Sequence, residues 1–202
     1  MRDRARQRLA LVAAGLLLFL PQAAHAHLVN TGLGPFYDGV SHFGLTPEDL
    51  LPALALALLA GQRGARVGRT ILFALPAAWL LGGVAGLAFP TIAEVPALPT
   101  GAFLLLGGLV AAEAPLPLRG TVLLAVVVGL LHGYLNGAAM SEARLGALGL
   151  AGIVTTLFVV VALAAAAVVA IRVPWGRIAV RVAGSWIAAI GLLLLGWSLR
   201  GA

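Results

Sequence analysis

Residues 121–139 read TVLLAVVVGLLHGYLNGAA, running from Thr121 to Ala139. Beyond Thr121 every residue is Val, Leu, Ala or Gly except His132, Tyr134 and Asn136. A helix needs about 20 such residues to cross a hydrocarbon layer at 1.5 Å rise per residue. The stretch therefore reads as a transmembrane helix with an imidazole inside it. Ionisable groups are expensive at that depth and by default mark a functional position. His132 and Asn136 are four apart, so they share one helix face. Gly129, Gly133 and Gly137 form a second four-residue repeat, the small-residue stripe that lets helices approach closely in lipid. A bland reading is available too, in which His132 only hydrogen-bonds a neighbouring helix beside that stripe.

The whole chain agrees with this stretch. Of its 202 residues, 61% are hydrophobic and 10% charged, against about 25% charged in soluble domains. Mean hydropathy is +1.06. Six apolar segments can be drawn, over residues 46–60, 68–89, 101–112, 121–139, 145–171 and 178–199. None alternates with period two, so the expected fold is all-α: a polytopic membrane helix bundle of six transmembrane helices, not a barrel. The first and third segments are short for a span. Pro52 and Pro76 fall inside segments and are expected to kink them.

Residues 1–26 have the form of a cleavable signal peptide. Arg2, Arg4, Arg6 and Arg8 precede an apolar run from Leu9 to Leu20, Pro21 breaks it, and Ala24-His25-Ala26 supplies small residues around a cleavage point. An uncleaved first helix is the alternative, although about 12 apolar residues are few for a span. The expected organisation is a signal peptide at 1–26, a Gly-rich periplasmic segment at 27–45 and a six-helix membrane domain at 46–202.

The net charge of +6 is no nucleic-acid signal, because every basic residue is Arg and most lie in short links between apolar segments. With the mature N-terminus outside, Arg63, Arg66, Arg69, Arg119, Arg172, Arg177 and Arg181 fall on the cytoplasmic side and only Arg144 and Arg200 outside. The positive-inside rule then predicts a bacterial inner-membrane protein with both mature termini in the periplasm. In that orientation the first segment opens outward at Glu48-Asp49, and His132 and Asn136 lie in the outer half of the fourth. Both polar clusters therefore face one side. Three-plus-three inverted halves would place segments one and four in corresponding positions, a known pointer to a midplane site.

The expected metal ligands are His42, Glu48, Asp49, His132 and Asn136, with His27 and Asp38 as further candidates. Thr46-Pro47-Glu48-Asp49 is also a good helix start, with a capping residue, proline at N1 and acids in the first turn, which by itself accounts for both carboxylates. His27 would become the mature N-terminus, offering an α-amine and an imidazole together. Cysteine is absent, which rules out thiolate ligation, and Met140 is the only methionine beyond the signal segment. No nucleophile–base pair is legible, and an enzyme is the poorest reading. No cofactor is expected.

These residues resemble the HupE/UreJ family of small bacterial membrane proteins. That family opens its first span with His-Pro-x-x-Gly-x-Asp-His-Leu. Here the corresponding stretch is His42-Phe43-Gly44-Leu45-Thr46-Pro47-Glu48-Asp49-Leu50, with Glu48 in place of the Asp and Asp49 in place of the second His. The family's His-Gly-x-Ala-His-Gly-x-Glu is similar to His132-Gly133-Tyr134-Leu135-Asn136-Gly137-Ala138-Ala139, where Asn136 replaces the second His and Ala139 the Glu. The chain thus looks like a divergent second branch. The resemblance implies a permease for a divalent metal, Ni²⁺ or Co²⁺ as transported ion, with metalloenzyme-maturation proteins as partners. Fewer imidazoles and more oxygen ligands imply weaker, less nickel-selective binding. The alternative function is a non-transporting accessory protein that presents metal, or a binding surface, to a periplasmic partner.

Overall fold

The protein is described by a computed structural model covering residues 30–90, 97–198 and 200. The signal-peptide reading and His27 lie outside these residues. Seven helices follow one another: α1 (Pro35–Leu45), α2 (Pro47–Gln62), α3 (Ala65–Ala88), α4 (Ala97–Ala111), α5 (Leu118–Glu142), α6 (Gly146–Ala170) and α7 (Pro174–Ser198). No strand occurs among the described residues. The fold is all-α, as expected.

The count of spans differs from the sequence expectation. Helices α3, α5, α6 and α7 are long and apolar enough to cross a membrane, and α1 with α2 would make a fifth, bent by 72° at its break. At 1.5 Å per residue α3 is about 36 Å long and α2 only about 24 Å. The apolar part of α4, Gly101–Ala111, is shorter still.

Proline decides where the bent pair breaks. Pro47 cannot donate a backbone hydrogen bond, and its ring disfavours helical geometry at the residue before it. Thr46 accordingly sits in extended conformation at φ −102°, ψ 97°, and α2 restarts with Pro47 in its first turn. Thr46 holds the N-cap position, but its hydroxyl makes no capping bond. Pro52 and Pro76 are buried within α2 and α3, which continue through them. The Gly-rich segment at 27–45 contains a folded element: α1 buries Asp38, Gly39 and Phe43 against the bundle.

Lipid tails are as apolar as leucine side chains, so close van der Waals packing has to hold these helices together. Glycine supplies it in three places. On α5, a Cβ at Gly133 or Gly137 would collide with the backbone oxygen of Trp79 or Gly83, and one at Gly82 or Gly86 of α3 with that of Leu130 or Tyr134. Gly39 and Gly152 bring α1 onto α6, and Gly107 and Gly184 bring α4 onto α7. The pairing Gly129–Leu75, Gly133–Trp79, Gly137–Gly83 rises together along both chains, so α3 and α5 run parallel. In α4 and α7, Gly107 meets Ala188 while Gly184 meets Ala111, so these run antiparallel. The helices thus alternate in direction. The links carrying Arg63 and Arg172 gather at one end with Arg119 in the first turn of α5, and α1 with the last turns of α3 and α5 lies at the other.

Candidate metal-handling site

Asp49 is the hub. The first turn of α2 sets it at the positive end of that helix, where a carboxylate is favoured, and packing leaves it 4% exposed. A buried carboxylate needs donors. His132 Nδ1 lies 2.9 Å from Asp49 Oδ1, and Asn136 Nδ2 donates to Asp49 Oδ2 at 2.8 Å. Both donors come from one face of α5, as their four-residue spacing requires. A carboxylate in its ionised form only accepts, and against it the His132 tautomer with the proton on Nδ1 makes this hydrogen bond. From α1, His42 Nε2 approaches Asp49 Oδ2 to 4.0 Å. That spacing is too long for a hydrogen bond.

The arrangement leaves acceptors free. His132 Nε2 and Asn136 Oδ1 are buried without a partner among the described residues. His132 is 1% exposed and Asn136 3%. A carboxylate holding one ring nitrogen while the other keeps its lone pair is the second-shell arrangement typical of metal-bound histidine. Orphaned acceptors of this kind are uncommon in native interiors and call for an explanation. Among the described residues no group of three or more His, Asp or Glu side chains forms a ligand set. An ion here would keep water in its other positions.

Trp79 joins this cluster although no local motif points to it. Its indole stacks on His132 with ring centroids 5.4 Å apart and planes 29° apart, and Phe43 meets the indole edge-on at 5.7 Å. Trp79 is fully buried, and its Nε1 also lacks a partner among the described residues. Tryptophans in membrane proteins gather at the interfaces. Trp79 lies well inside α3, and that position is the signal that distinguishes it from a belt residue.

The other expected ligands fall differently. Glu48 is exposed, unlike its neighbour Asp49. Asp38 is buried but occupied: its Oδ1 accepts from the Thr31 backbone and hydroxyl, both at 2.6 Å, tying the chain before α1 to that helix. The structure therefore brings together His42, Asp49, His132 and Asn136, adds Trp79, and leaves Glu48 and Asp38 apart.

A second polar group lies at the Arg-rich end. Gln62 Nε2 donates to Val110 O at 3.1 Å, Arg181 Nε donates to Ala111 O at 2.9 Å, and Arg177 pairs with Glu113. Nothing local in the sequence connects Glu113 to residues 62 or 177.

No curated protein and no solved structure matches the chain. The profile of the family described as HupE / UreJ protein matches residues 14–194, nearly the whole chain, and the two polar motifs that form the Asp49–His132 contact fall within that match. The chain belongs to the HupE/UreJ family.

Proposed function

We propose that this protein is an inner-membrane permease for a divalent transition-metal ion, with Ni²⁺ or Co²⁺ as the cargo. Its family is associated with nickel or cobalt transport or with urease and hydrogenase maturation. The observation that carries the reading is His132: one nitrogen held by Asp49, the other buried without a partner among the described residues.

In this scheme Asp49 supplies charge and raises the basicity of His132. His132 Nε2 and Asn136 Oδ1 replace part of the ion's water, and His42 on α1 completes the outward side. A set with few protein ligands suits a cargo, which must leave as readily as it arrives. Trp79 holds the His132 ring in place. The Arg-rich end is cytoplasmic and the His–Asp end periplasmic, in keeping with the positive-inside rule. Six passages follow if α2 and α4 each cross with the bilayer thinned around them, an adjustment costing fractions of a kcal/mol per Å. Released metal would pass to metalloenzyme-maturation proteins.

Metal-resolved uptake into membrane vesicles tests this. The parent chain should accumulate Ni²⁺ or Co²⁺, and His132→Ala should lower the rate at least about tenfold, the cost of a lost ligand or its outer-shell partner. Normal accumulation by both His132→Ala and His42→Ala would remove the site.

A further inference from the structure

Near the Arg-rich end, α3 and α6 touch through small residues. A Cβ built on Gly68 would stand 3.7 Å from that of Ala165. Farther from that end, the rings of Phe73 and Phe158 meet across the same two helices, with centroids 6.0 Å apart. Rising numbers on α3 thus face falling numbers on α6, so the two helices run antiparallel. On the Arg-rich side of the aromatic pair, the small side chains leave a groove of about 370 Å³ between residues 65–72 and 162–169. Seven steps of 1.5 Å make it about 10 Å long. Gly68 and Ala165 are buried in it, whereas Arg69 and Ala166 are exposed at its edge. Every lining residue is apolar except Arg69.

Two properties identify what covers this groove. It opens on the outside of the bundle, where Phe73 and Leu163 are also exposed. Water in an apolar slot finds no hydrogen-bond partner, and an empty slot forfeits van der Waals contact, so hydrocarbon fills it best. Its one polar side chain is a cation. Arg69 stands four residues into α3, about 6 Å from the helix start, which is the depth of the headgroup layer. Among the described residues no acid serves it: Glu113 pairs with Arg177, and Asp38, Glu48, Asp49 and Glu142 belong to the opposite end. The first turn of α3 has no side-chain cap at Gly64, so its free N–H groups add positive potential at the same mouth.

We infer that the α3–α6 groove binds an anionic phospholipid, with the phosphate on Arg69 and the upper part of one acyl chain lying over Gly68 and Ala165. Basic sites between membrane helices on the cytoplasmic side take such headgroups, and the guanidinium fork matches phosphate oxygens in geometry as well as charge. A second copy of this chain, inserted the same way, would set its own Arg-rich end against Arg69. Charge therefore favours the lipid over a dimer. The site goes beyond the metal reading and uses none of the residues at the His–Asp end.

The test titrates the purified full-length chain in detergent with dioleoyl phosphatidylglycerol, or with zwitterionic dioleoyl phosphatidylcholine carrying the same tails. Native mass spectrometry reads the lipid bound to each. The parent should prefer the anionic lipid about fivefold or more, as expected for one basic residue acting at the membrane surface. Arg69→Gln should remove that preference. Ala166→Phe fills the groove from its exposed edge and should weaken both lipids severalfold. Arg119→Gln removes an exposed charge at the same end but outside the groove, and should leave the preference intact. All three substituted residues are exposed, and an unchanged melting temperature checks that each variant is folded. Equal binding of the two lipids by the parent, or equal losses in Arg69→Gln and Arg119→Gln, would reduce Arg69 to one charge of a diffuse basic belt and overturn the site. A dimer that Ala166→Phe splits would give the groove to a second copy instead. His132→Ala should bind lipid as the parent does, so failure of the permease reading leaves this readout unmoved.

Discussion

Asp49 accepts from two buried side chains and faces a third, whereas Glu48, its neighbour, has none of these contacts and is exposed. Removing Asp49 strands the donors of His132 and Asn136 in the interior, and each orphaned group costs about 1–3 kcal/mol. Asp49→Ala should therefore destabilise the protein by about 2–4 kcal/mol, while Glu48→Ala should stay within about 0.5 kcal/mol of the parent. Thermal unfolding in one detergent compares the two directly. Equal losses would mean that the acids serve only as charges at a helix start. Asp49→Asn separates stability from transport. It keeps the size and can still accept from one donor, so uptake should fall much further than melting temperature.

Helix packing makes its own prediction. The α3–α5 interface has backbone against backbone at Gly133 and Gly137, where a methyl group has no room, whereas Gly108 of α4 has no neighbour within 4 Å of a built Cβ. Gly137→Ala should cost about 1–3 kcal/mol as an overpacked contact. Gly108→Ala should be neutral or stabilise by up to about 1 kcal/mol, since it only replaces glycine in a helix. Because Gly137 is next to Asn136, its substitution should also loosen the Asp49 contact. A Gly137→Ala protein that melts with its parent would show that the two helices separate freely. At the other end of the site, the break at Thr46 lets α1 fold back over Asp49. Pro47→Ala removes the ring that forces Thr46 out of helical geometry, and uptake should drop as His42 moves away with α1.

At the scale of the whole molecule, alternating helix direction puts Arg66 and Arg144 at opposite ends of the bundle, one at the start of α3 and the other after α5. The chain has no cysteine, so single substitutions can be labelled without background. Arg66→Cys should react with an impermeant maleimide only from the cytoplasmic face and Arg144→Cys only from the periplasmic face. Labelling of both from one side would overturn the proposed sidedness. The four long helices and the bent pair also expose large apolar residues around the bundle, among them Leu81, Leu123, Leu163 and Trp186, as a lipid-facing surface requires.

Sequence alone determined what lipid chemistry imposes residue by residue. Long apolar runs must be helices, glycines four apart mark a close contact, and an imidazole at 132 with an amide at 136 must share a face. It also put Asp49 and His132 at the same end of the bundle, because consecutive apolar segments alternate in direction, and the two side chains do meet. Tertiary structure decided what depends on partners distant in the chain. Glu48 and Asp49 are adjacent carboxylates with the same local signals, yet only the approach of α5 makes one a buried acceptor and leaves the other exposed. Asp38 looked like a free ligand until Thr31 was seen to occupy it. The helix at 35–45 was hidden by its glycines, which are poor helix formers on their own and become favourable only where Gly39 lets α1 settle on α6. Gln62, Glu113 and Arg177 lie far apart in sequence, and no periodicity could have joined them. Local propensity and hydropathy act over a few residues. Which buried polar group finds a partner, and which is left with a free lone pair, is settled only when the helices pack.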